Sequence, residues 1–258
     1  MEDTYSIVAF QALVLGLLLF LSHRLRRRHA ELVRLAGADL QAKLDWHFRQ
    51  VEDLFSLYYD LRPHTALPAT RAWAASPDML RQLREHIVKH PPNVVVECSS
   101  GVSTVVIART LQQLRAGHVF SLEHDKKYAD RTRALLSCQE LSEWATVVDA
   151  PLSEHQIGNS TWNWYDVNEL TSLLRGRGID LILVDGPPFN IQEDARYPAG
   201  PLLFPLLVDG GAVYVDDAKR TPEQRICRRW SAEFRAMELE MIDTEKGLAL
   251  LTARQHSF

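Results

Sequence analysis

The sequence predicts an α/β fold, with a doubly wound, mostly parallel sheet of seven strands that ends in an antiparallel C-terminal hairpin strand. From Asn93 onward, short β-branched segments alternate with segments of helical spacing, a pattern typical of parallel strands joined by helical crossovers. The last two predicted strands, Glu238–Ile242 and Leu248–Thr252, are separated only by Asp243–Gly247. So short a connection requires a hairpin and reverses the final strand. A transmembrane helix and a helical segment are predicted to precede the sheet.

Composition supports one large domain with appendages, or two small domains. The chain has 258 residues with a hydrophobic fraction of 46%, which is enough for a substantial core. The net charge of -4 gives no basic field, so no nucleic-acid partner is expected. The cysteines Cys98, Cys138 and Cys227 lie far apart and lack metal-type spacing. They therefore indicate reduced thiols.

The apolar run Ser6–Ser22 predicts a membrane anchor. At 1.5 Å per residue, about 17 residues reach roughly 25 Å, which is near the lower limit for spanning the hydrocarbon layer. An amphipathic or buried helix is the alternative, but the run has no polar face. Acidic residues precede the run and arginines follow it: Glu2 and Asp3, then Arg24, Arg26, Arg27 and Arg28. The positive-inside rule then predicts a single-pass protein with everything after Arg24 in the cytoplasm.

Residues 1–30 are thus predicted to be the anchor with its basic flank, residues 31–92 a helical stalk, and residues 93–258 the main domain. Within residues 31–60, apolar residues recur at helical spacing. This amphipathic helix could be a stalk, a surface for homodimer formation, or a helix that packs on the chain's own domain. Prolines at 63 and 68 break it, and Asp78–Lys89 predicts a further helix.

The main domain is predicted to contain five parallel strands before the hairpin. The region 151–179 is predicted as a loop with a helix near Val167–Leu174. The strands are Asn93–Cys98, His118–Glu123, Ala145–Asp149, Asp180–Asp185 and Ala212–Asp216, and the other helices are Ser103–Leu114, Lys126–Leu136, Tyr197–Val208 and Pro222–Met237.

Carboxylates recur where these strands end. Any one of them could cap the following helix, but five such strand ends in a row are harder to explain by capping. Carboxyl ends of parallel strands lie at one edge of a sheet, where α/β proteins bind ligands. An edge lined with carboxylates suits a ligand that has hydroxyls, amines or positive charge. The residues are Glu97, Glu123, Asp149, Asp185, and Asp216 with Asp217.

Small residues follow the first predicted strand. They let the backbone approach a ligand closely where a helix begins. Glu123, at the end of the second strand, is placed to accept hydrogen bonds from ribose hydroxyls. Together these features favour a nucleotide-type site. The small residues are Ser99, Ser100, Gly101 and Ser103.

Five segments occur in a specific order: VVVECSSGVSTVVIA, FSLEHD, VVDAPL, LILVDGPP and ARYPAGPLLFPLLVDGGAVYVDDA. Together with the closing hairpin they resemble the motifs of class I S-adenosylmethionine-dependent methyltransferases, in the branch that methylates oxygen on small molecules. The resemblance covers about residues 93–254 and implies a Rossmann-like fold.

The resemblance also implies S-adenosylmethionine as cofactor and gives it a set of contacts. Ser99 stands where the family usually has its first glycine, and a serine there would narrow the cofactor pocket. By the resemblance, Glu97, Ser99 and Gly101, with Ser103 in the same motif, would line the methionine moiety, Glu123 would hold the ribose, and Asp149 with Ala150 would contact the adenine.

Asp185 would lie beside the sulfonium and the acceptor, and we expect it to be catalytic. Methyl transfer mainly requires alignment of the acceptor with the methyl group and deprotonation of a hydroxyl. Catechol-type O-methyltransferases hold a divalent cation at these strand ends, so Asp185, Asp216 and Asp217 are candidate Mg²⁺ ligands. The alternatives are a turn at Asp185, and capping by Asp216 and Asp217 or their pairing with Lys219 and Arg220.

Three aromatic residues, Trp162, Trp164 and Tyr165, fall in the predicted loop after the third strand. They could form a lid or recognition surface beside the acceptor, or pack beneath the loop. With the predicted anchor, the acceptor is expected to be a small molecule or a lipid-linked one.

Two other functions compete with a membrane-anchored methyltransferase. An NAD-dependent oxidoreductase needs G-x-G-x-x-G after the first strand, where this chain has Ser99, Gly101 and Thr104, and it leaves the closing hairpin unexplained. The second competing function is a non-catalytic, membrane-tethered nucleotide-binding module. Ser99 is its best support, because a serine at this position would narrow the cofactor pocket.

Overall fold

The computed structural model describes residues 2–234 and 237–253, except for the side chains of residues 2–9 and 12. The start of the predicted anchor therefore has no described side chains. Residues 235 and 236 of the predicted helix Pro222–Met237 also lie outside the described part. The chain divides into two compact units, Met1–Arg49 and Gln50–Phe258.

The first helix, α1, runs from Glu2 to Leu61. Among the described residues, no helix contains a stretch long and apolar enough to cross a membrane. The predicted transmembrane helix, and with it the single-pass, cytoplasm-facing localisation, is therefore wrong. The physical reason is length: the run Ser6–Ser22 is short of the roughly 20 apolar residues that a span needs, and the same helix continues directly into His23 and a cluster of arginines.

Within the first unit, apolar side chains of α1 such as Leu18, Leu32 and Phe48 are exposed. Homodimer formation through residues 31–60 stays a prediction. In the second unit, Leu57 and Leu61 at the end of α1 are buried in the core of the sheet domain. This last part of the predicted stalk thus packs on its own domain.

The second unit is built on a seven-stranded sheet, in which β1 lies next to the centre. The strand order is β3-β2-β1-β6-β7-β9-β8. The first five pair in parallel, and β9 runs antiparallel to both of its neighbours. This confirms the predicted mostly parallel sheet with its antiparallel C-terminal strand. The strands are β1 Val94–Cys98, β2 His118–Glu123, β3 Ala145–Asp149, β6 Ile179–Val184, β7 Leu207–Asp216, β8 Met237–Ile242 and β9 Leu248–Ala253.

Helices cover both faces of this sheet, which explains why β1 is buried at every position and apolar except at Glu97. Val95 faces a core formed with α2, α3 and α4. Val94 and Val96 face the other core, formed with α5, α6 and α7. The helices are α2 Pro77–Lys89, α3 Val102–Leu114, α4 Lys126–Cys138, α5 Asn168–Leu174, α6 Ala199–Leu203 and α7 Thr221–Glu233, and a 3₁₀ turn, Phe204–Leu206, follows α6.

A second, two-stranded sheet replaces part of the predicted loop. β4 (Leu152–Ile157) and β5 (Ser160–Tyr165) pair antiparallel around Gly158 and Asn159. Trp164 and Tyr165 point into the core and are almost fully buried. The hairpin is therefore a packing element that covers one face of the large sheet, and these two aromatic residues do not form an exposed lid.

Candidate active site

The strand order brings the carboxyl ends of β2, β1, β6 and β7 side by side. A cavity of about 610 Å³ opens at this edge, a volume in the usual range for small-molecule sites. A second cavity, of about 740 Å³, lies at the opposite edge beside Asp180 and Asp209. Because open parallel sheets bind ligands at their carboxyl edge, we take the first cavity as the candidate active site. Its lining includes Ser99, Ser100, Gly101, Glu123, Asp185, Arg196 and Asp217, with Trp73 and Phe189.

The loop between β1 and α3 forms the floor of the cavity. Its backbone is held from two sides, because Ser99 N donates to Leu122 O at 3.0 Å and Gly101 N donates to Thr104 Oγ1 at 2.9 Å. A side chain at Gly101 would meet no atom of the described residues within 4 Å. The space above Gly101 is open to a ligand, and the backbone there can approach one closely.

Glu97 lies beneath this loop and is not among the residues that line the cavity. Its Oε2 accepts hydrogen bonds of 2.6 Å from Thr104 and Ser121, and burial raises its pKa to about 6. Its Oε1 is buried without a hydrogen-bond partner among the described residues. Ser103, in the first turn of α3, is also buried and does not line the cavity, so both residues support the loop from below. Their predicted contact with the methionine moiety stays a prediction.

Glu123 lines the cavity at the end of β2. Its Oε2 accepts a 2.9 Å hydrogen bond from Ser100 Oγ, and its Oε1 accepts a 3.1 Å hydrogen bond from Asp125 N. Ser100 Oγ also lies 3.0 Å from Thr132 Oγ1. These contacts hold the carboxylate beside the β1–α3 loop and in the cavity lining, where a ribose diol could reach it.

Asp149 ends the edge strand β3 and turns away from the cavity. It is exposed and pairs with Arg133, with 2.7 Å between Oδ1 and Nη2. Ala150 is buried, and its N donates to Glu123 O at 2.8 Å. Neither residue lines the cavity. The predicted adenine contact of Asp149 and Ala150 stays a prediction.

The ends of β6 and β7 bring Asp185, Asp216 and Asp217 together, as the strand-end pattern predicted. One carboxylate oxygen from each lies within 4.8 Å of the others. Burial raises the pKa of Asp185 well above its ordinary value, and Asp216 adds to the effect while Arg196 opposes it. Burial and the neighbouring Asp217 raise the pKa of Asp216 to about 6.

Arg196 lies among the three predicted Mg²⁺ ligands and pairs with two of them. Arg196 Nη2 lies 3.1 Å from Asp185 Oδ1 and 2.8 Å from Asp217 Oδ2. A guanidinium nitrogen thus contacts oxygens of two of the three candidate ligands. The third, Asp216, is fully buried, and both of its oxygens lack a hydrogen-bond partner in the described part of the chain. The prediction of a metal here is untested.

Sequence patterns did not point to Arg196 or to Phe189, an aromatic residue at the cavity rim that stacks on Trp73. Trp73 and Phe189 stack at 3° with ring centroids 6.2 Å apart, and both are exposed. Arg220 lies over Phe189, 5.6 Å from the ring centroid. The signal for Phe189 was its place directly after Asp-Gly-Pro-Pro, at the end of a strand that carries a site carboxylate.

Comparisons with known proteins agree with this geometry. Residues 96–218 match a family model described as a methyltransferase domain. No curated protein matches the sequence.

Solved structures share the fold at low identity. An O-methyltransferase from Bacillus cereus, in complex with SAH, is 15% identical with a TM-score of 0.54. The matched region covers 80% of this chain and 90% of the Bacillus cereus chain. Cofactor-bound Rv0187 from MTB is 17% identical, with a TM-score of 0.54 and coverage of 81% and 91%. The O-methyltransferase TomG from Streptomyces achromogenes, in complex with SAM, is 13% identical, with a TM-score of 0.51 and coverage of 70% and 82%.

The family match lies on the segment that builds the cavity floor, Glu123 and the acidic strand ends. It decides for a methyltransferase against the NAD-dependent oxidoreductase. The chain carries a methyltransferase domain over residues 96–218, on a fold that it shares with S-adenosylmethionine-dependent O-methyltransferases, and it is a methyltransferase.

Proposed function

We propose that this enzyme transfers the methyl group of S-adenosylmethionine to an oxygen atom of a small-molecule acceptor. One observation carries the proposal. A single cavity is lined at one end by Glu123, whose carboxylate is placed for a ribose, and at the other by Asp185, a buried carboxylate of raised pKa. Cofactor and acceptor can therefore meet in it. The O-methyltransferases among the similar structures support the choice of oxygen.

The cofactor fits the end of the cavity beside the β1–α3 loop. Glu123 would accept hydrogen bonds from the ribose hydroxyls, because its carboxylate is already held by Ser100 and the Asp125 backbone. The open space above Gly101 would receive the methionine moiety. Tyr128 and Leu135 of α4 line the same end and offer an apolar surface for the adenine.

Asp185 would serve as the general base. Arg196 engages its Oδ1, so we assign the proton-accepting role to Oδ2. Burial raises the pKa of Asp185, which makes the carboxylate a better proton acceptor than an exposed aspartate. When bound, S-adenosylmethionine would supply an electrophilic methyl carbon on a sulfonium leaving group, so methyl transfer to the acceptor oxygen would leave S-adenosylhomocysteine. The proton of the acceptor hydroxyl would pass to Asp185 Oδ2.

Trp73 and Phe189 would recognise the acceptor. Their exposed, nearly parallel rings at the rim favour an acceptor with a flat apolar part, because aromatic side chains stack on such surfaces. An acceptor of this kind would present its hydroxyl toward Asp185, which lines the same cavity.

The direct test is methyl transfer from isotope-labelled S-adenosylmethionine to a panel of phenols, hydroxylated heteroaromatics and aliphatic alcohols. We expect label on oxygen of at least one aromatic acceptor, together with one equivalent of S-adenosylhomocysteine. Asp185→Asn should lower kcat strongly while cofactor affinity changes little. Label found only on nitrogen or carbon acceptors, or turnover unaffected in Asp185→Asn, would contradict the proposal.

A further inference from the structure

We infer that Arg196 is the built-in cation of the acidic cluster, and that its guanidinium occupies the place a divalent metal ion would need. The ion-site part of this inference rests on the ion pairs alone. Its consequence for catalysis, that Arg196 positions Asp185, rests on the proposed function.

The contacts of Arg196 show how completely it is engaged. Nη2 donates to Asp185 O at 2.7 Å and to Asp217 Oδ2 at 2.8 Å, and it lies 3.1 Å from Asp185 Oδ1. Nη1 donates to Asp216 O at 2.8 Å. One guanidinium therefore ties together the ends of β6 and β7 and contacts carboxylates from both.

A metal ion would compete with Nη2 for the same oxygens. Mg²⁺ binds carboxylate oxygens at about 2.1 Å and demands near-octahedral geometry. An ion bonded to both Asp185 Oδ1 and Asp217 Oδ2 would have to share the space between them with a positively charged nitrogen. At such separations, like charges in a buried site repel strongly.

The cations around the cluster already neutralise most of its negative charge, which leaves little for a divalent ion to neutralise. Glu223, also buried, adds a fourth carboxylate to the three aspartates, with its Oε1 3.7 Å from Arg196 Nη1. Two further cations face the cluster. Arg220 Nη2 lies 2.7 Å from Asp217 Oδ1, and Lys246 Nζ lies 3.9 Å from Asp216 Oδ2. Three cations thus nearly balance four carboxylates.

Moving the Arg196 side chain out of the cluster to admit a metal ion would be energetically costly. Its side chain is almost fully buried, and removing one partner of a buried ion pair leaves an uncompensated charge. Its bonds to two backbone carbonyls also make it part of the framework that joins the strands. The positively charged group in this site is therefore a fixed side chain.

The test is titration of Mn²⁺, followed by electron paramagnetic resonance, into the full-length protein without acceptor or cofactor. The wild type should show no stoichiometric binding at millimolar Mn²⁺. Arg196→Met, which keeps much of the volume and loses the charge, should bind one Mn²⁺ at least about tenfold more tightly than the wild type, because three carboxylates lose their cation. Arg196→Lys, which keeps the charge, should behave like the wild type.

Stoichiometric Mn²⁺ binding by the wild type would overturn the inference, and loss of that binding in Asp216→Asn would locate it here. A folded Arg196→Met variant that binds no Mn²⁺ would also overturn it. If neither variant folds, the wild-type titration decides alone. Because the readout is metal binding, a failed acceptor screen or absent S-adenosylhomocysteine binding would count against the proposed function and not against this inference.

Discussion

Arg196 Nη2 lies 2.8 Å from Asp217 Oδ2, and both side chains are almost fully buried where β7 ends. Asp217 also pairs with Arg220, so one carboxylate holds two arginines at the end of the cavity that Asp185 lines. Asp217 itself has a φ of +61°, a left-handed conformation that aspartate and asparagine tolerate better than most residues.

Asp217→Asn should therefore destabilise the protein by about 3–5 kcal/mol, the usual cost of breaking a buried ion pair from one side. Asparagine tolerates the same backbone conformation, so the loss of stability would reflect the missing carboxylate charge. Asp130→Asn is the matched control, because Asp130 pairs with Lys126 and Arg133 on an exposed helix surface and should change stability by less than about 0.5 kcal/mol. Chemical denaturation measures both. Equal effects in the two variants would refute the importance of the buried pair.

Glu123→Ala should weaken S-adenosylhomocysteine binding more than about tenfold, equivalent to about 1.4 kcal/mol. The carboxylate lines the cavity and is oriented by Ser100 and the Asp125 backbone, and hydrogen bonds to a charged group contribute about 1.5–3 kcal/mol. Isothermal titration calorimetry checks this, with the exposed Glu154→Gln as control. Unchanged affinity in Glu123→Ala would remove the ribose assignment.

Ser99→Gly should stabilise the protein by about 1 kcal/mol and leave cofactor affinity unchanged or improved. Ser99 has a φ of +123°, which costs a residue with a side chain about 1–3 kcal/mol, partly offset by the greater freedom of glycine in the unfolded chain. Ser100→Gly is the contrasting variant, since it removes the hydroxyl that contacts Glu123 and Thr132, and it should weaken affinity. Thermal unfolding with and without S-adenosylhomocysteine distinguishes them. A destabilised Ser99→Gly would show that the backbone there carries no strain.

Glu97→Gln should change how stability depends on pH. Burial raises the pKa of Glu97 from an unfolded value of 4.5 to about 6, so the folded state binds more protons than the unfolded state between these values. The contribution of Glu97 to stability is then fully present below pH 4.5 and is lost as pH rises through about 6. Glutamine cannot ionise, so the free energy of unfolding of Glu97→Gln relative to wild type should rise by about 2 kcal/mol across this window.

Urea denaturation at several pH values measures that difference. Glu154→Gln, on an exposed strand position, should show no such window. A flat difference for Glu97→Gln between pH 4.5 and 6 would mean that Glu97 is not buried as a lone carboxyl beneath the loop.

Alanine substitution of two tryptophans should affect different properties, stability for Trp164 and acceptor binding for Trp73. Trp164 is 0% exposed and packs in the core, so Trp164→Ala should destabilise the protein by about 3–5 kcal/mol. Trp73 is 77% exposed at the cavity rim, so Trp73→Ala should alter stability by less than about 0.5 kcal/mol while raising KM for an aromatic acceptor. A stable Trp164→Ala, or a Trp73→Ala enzyme with unchanged KM, would contradict these placements.

The sheet could be predicted from sequence because its parallel strands are mostly apolar on both faces and are followed or ended by carboxylates. The short link between β8 and β9 likewise fixed the final reversal. The β4–β5 hairpin was missed because β4 has four consecutive polar residues between Leu152 and Ile157, so it lacks the alternating apolar pattern that predicts a strand. The predicted helix Tyr197–Val208 is only the short α6 (Ala199–Leu203) with a 3₁₀ turn, because prolines at 198, 201 and 205 interrupt it.

The site was predictable only where strand position decides side-chain direction. Glu123 and Asp185 reach the cavity because β2 and β6 flank β1. Asp149 does not, because β3 is the edge strand and Arg133 draws the carboxylate outward. Arg196 has no local signal, since its partners Asp185 and Asp217 lie on two different strand ends and are brought to it only by the fold.

A crystal structure of the protein with S-adenosylhomocysteine would show where the cofactor binds. We expect both ribose hydroxyls within hydrogen-bond distance of the Glu123 carboxylate and the methionine moiety over Gly101. We also expect the sulfur to face Asp185, with Arg196 still paired with Asp217. Ligand density at the opposite edge of the sheet, or a ribose with no contact to Glu123, would contradict this placement of the cofactor.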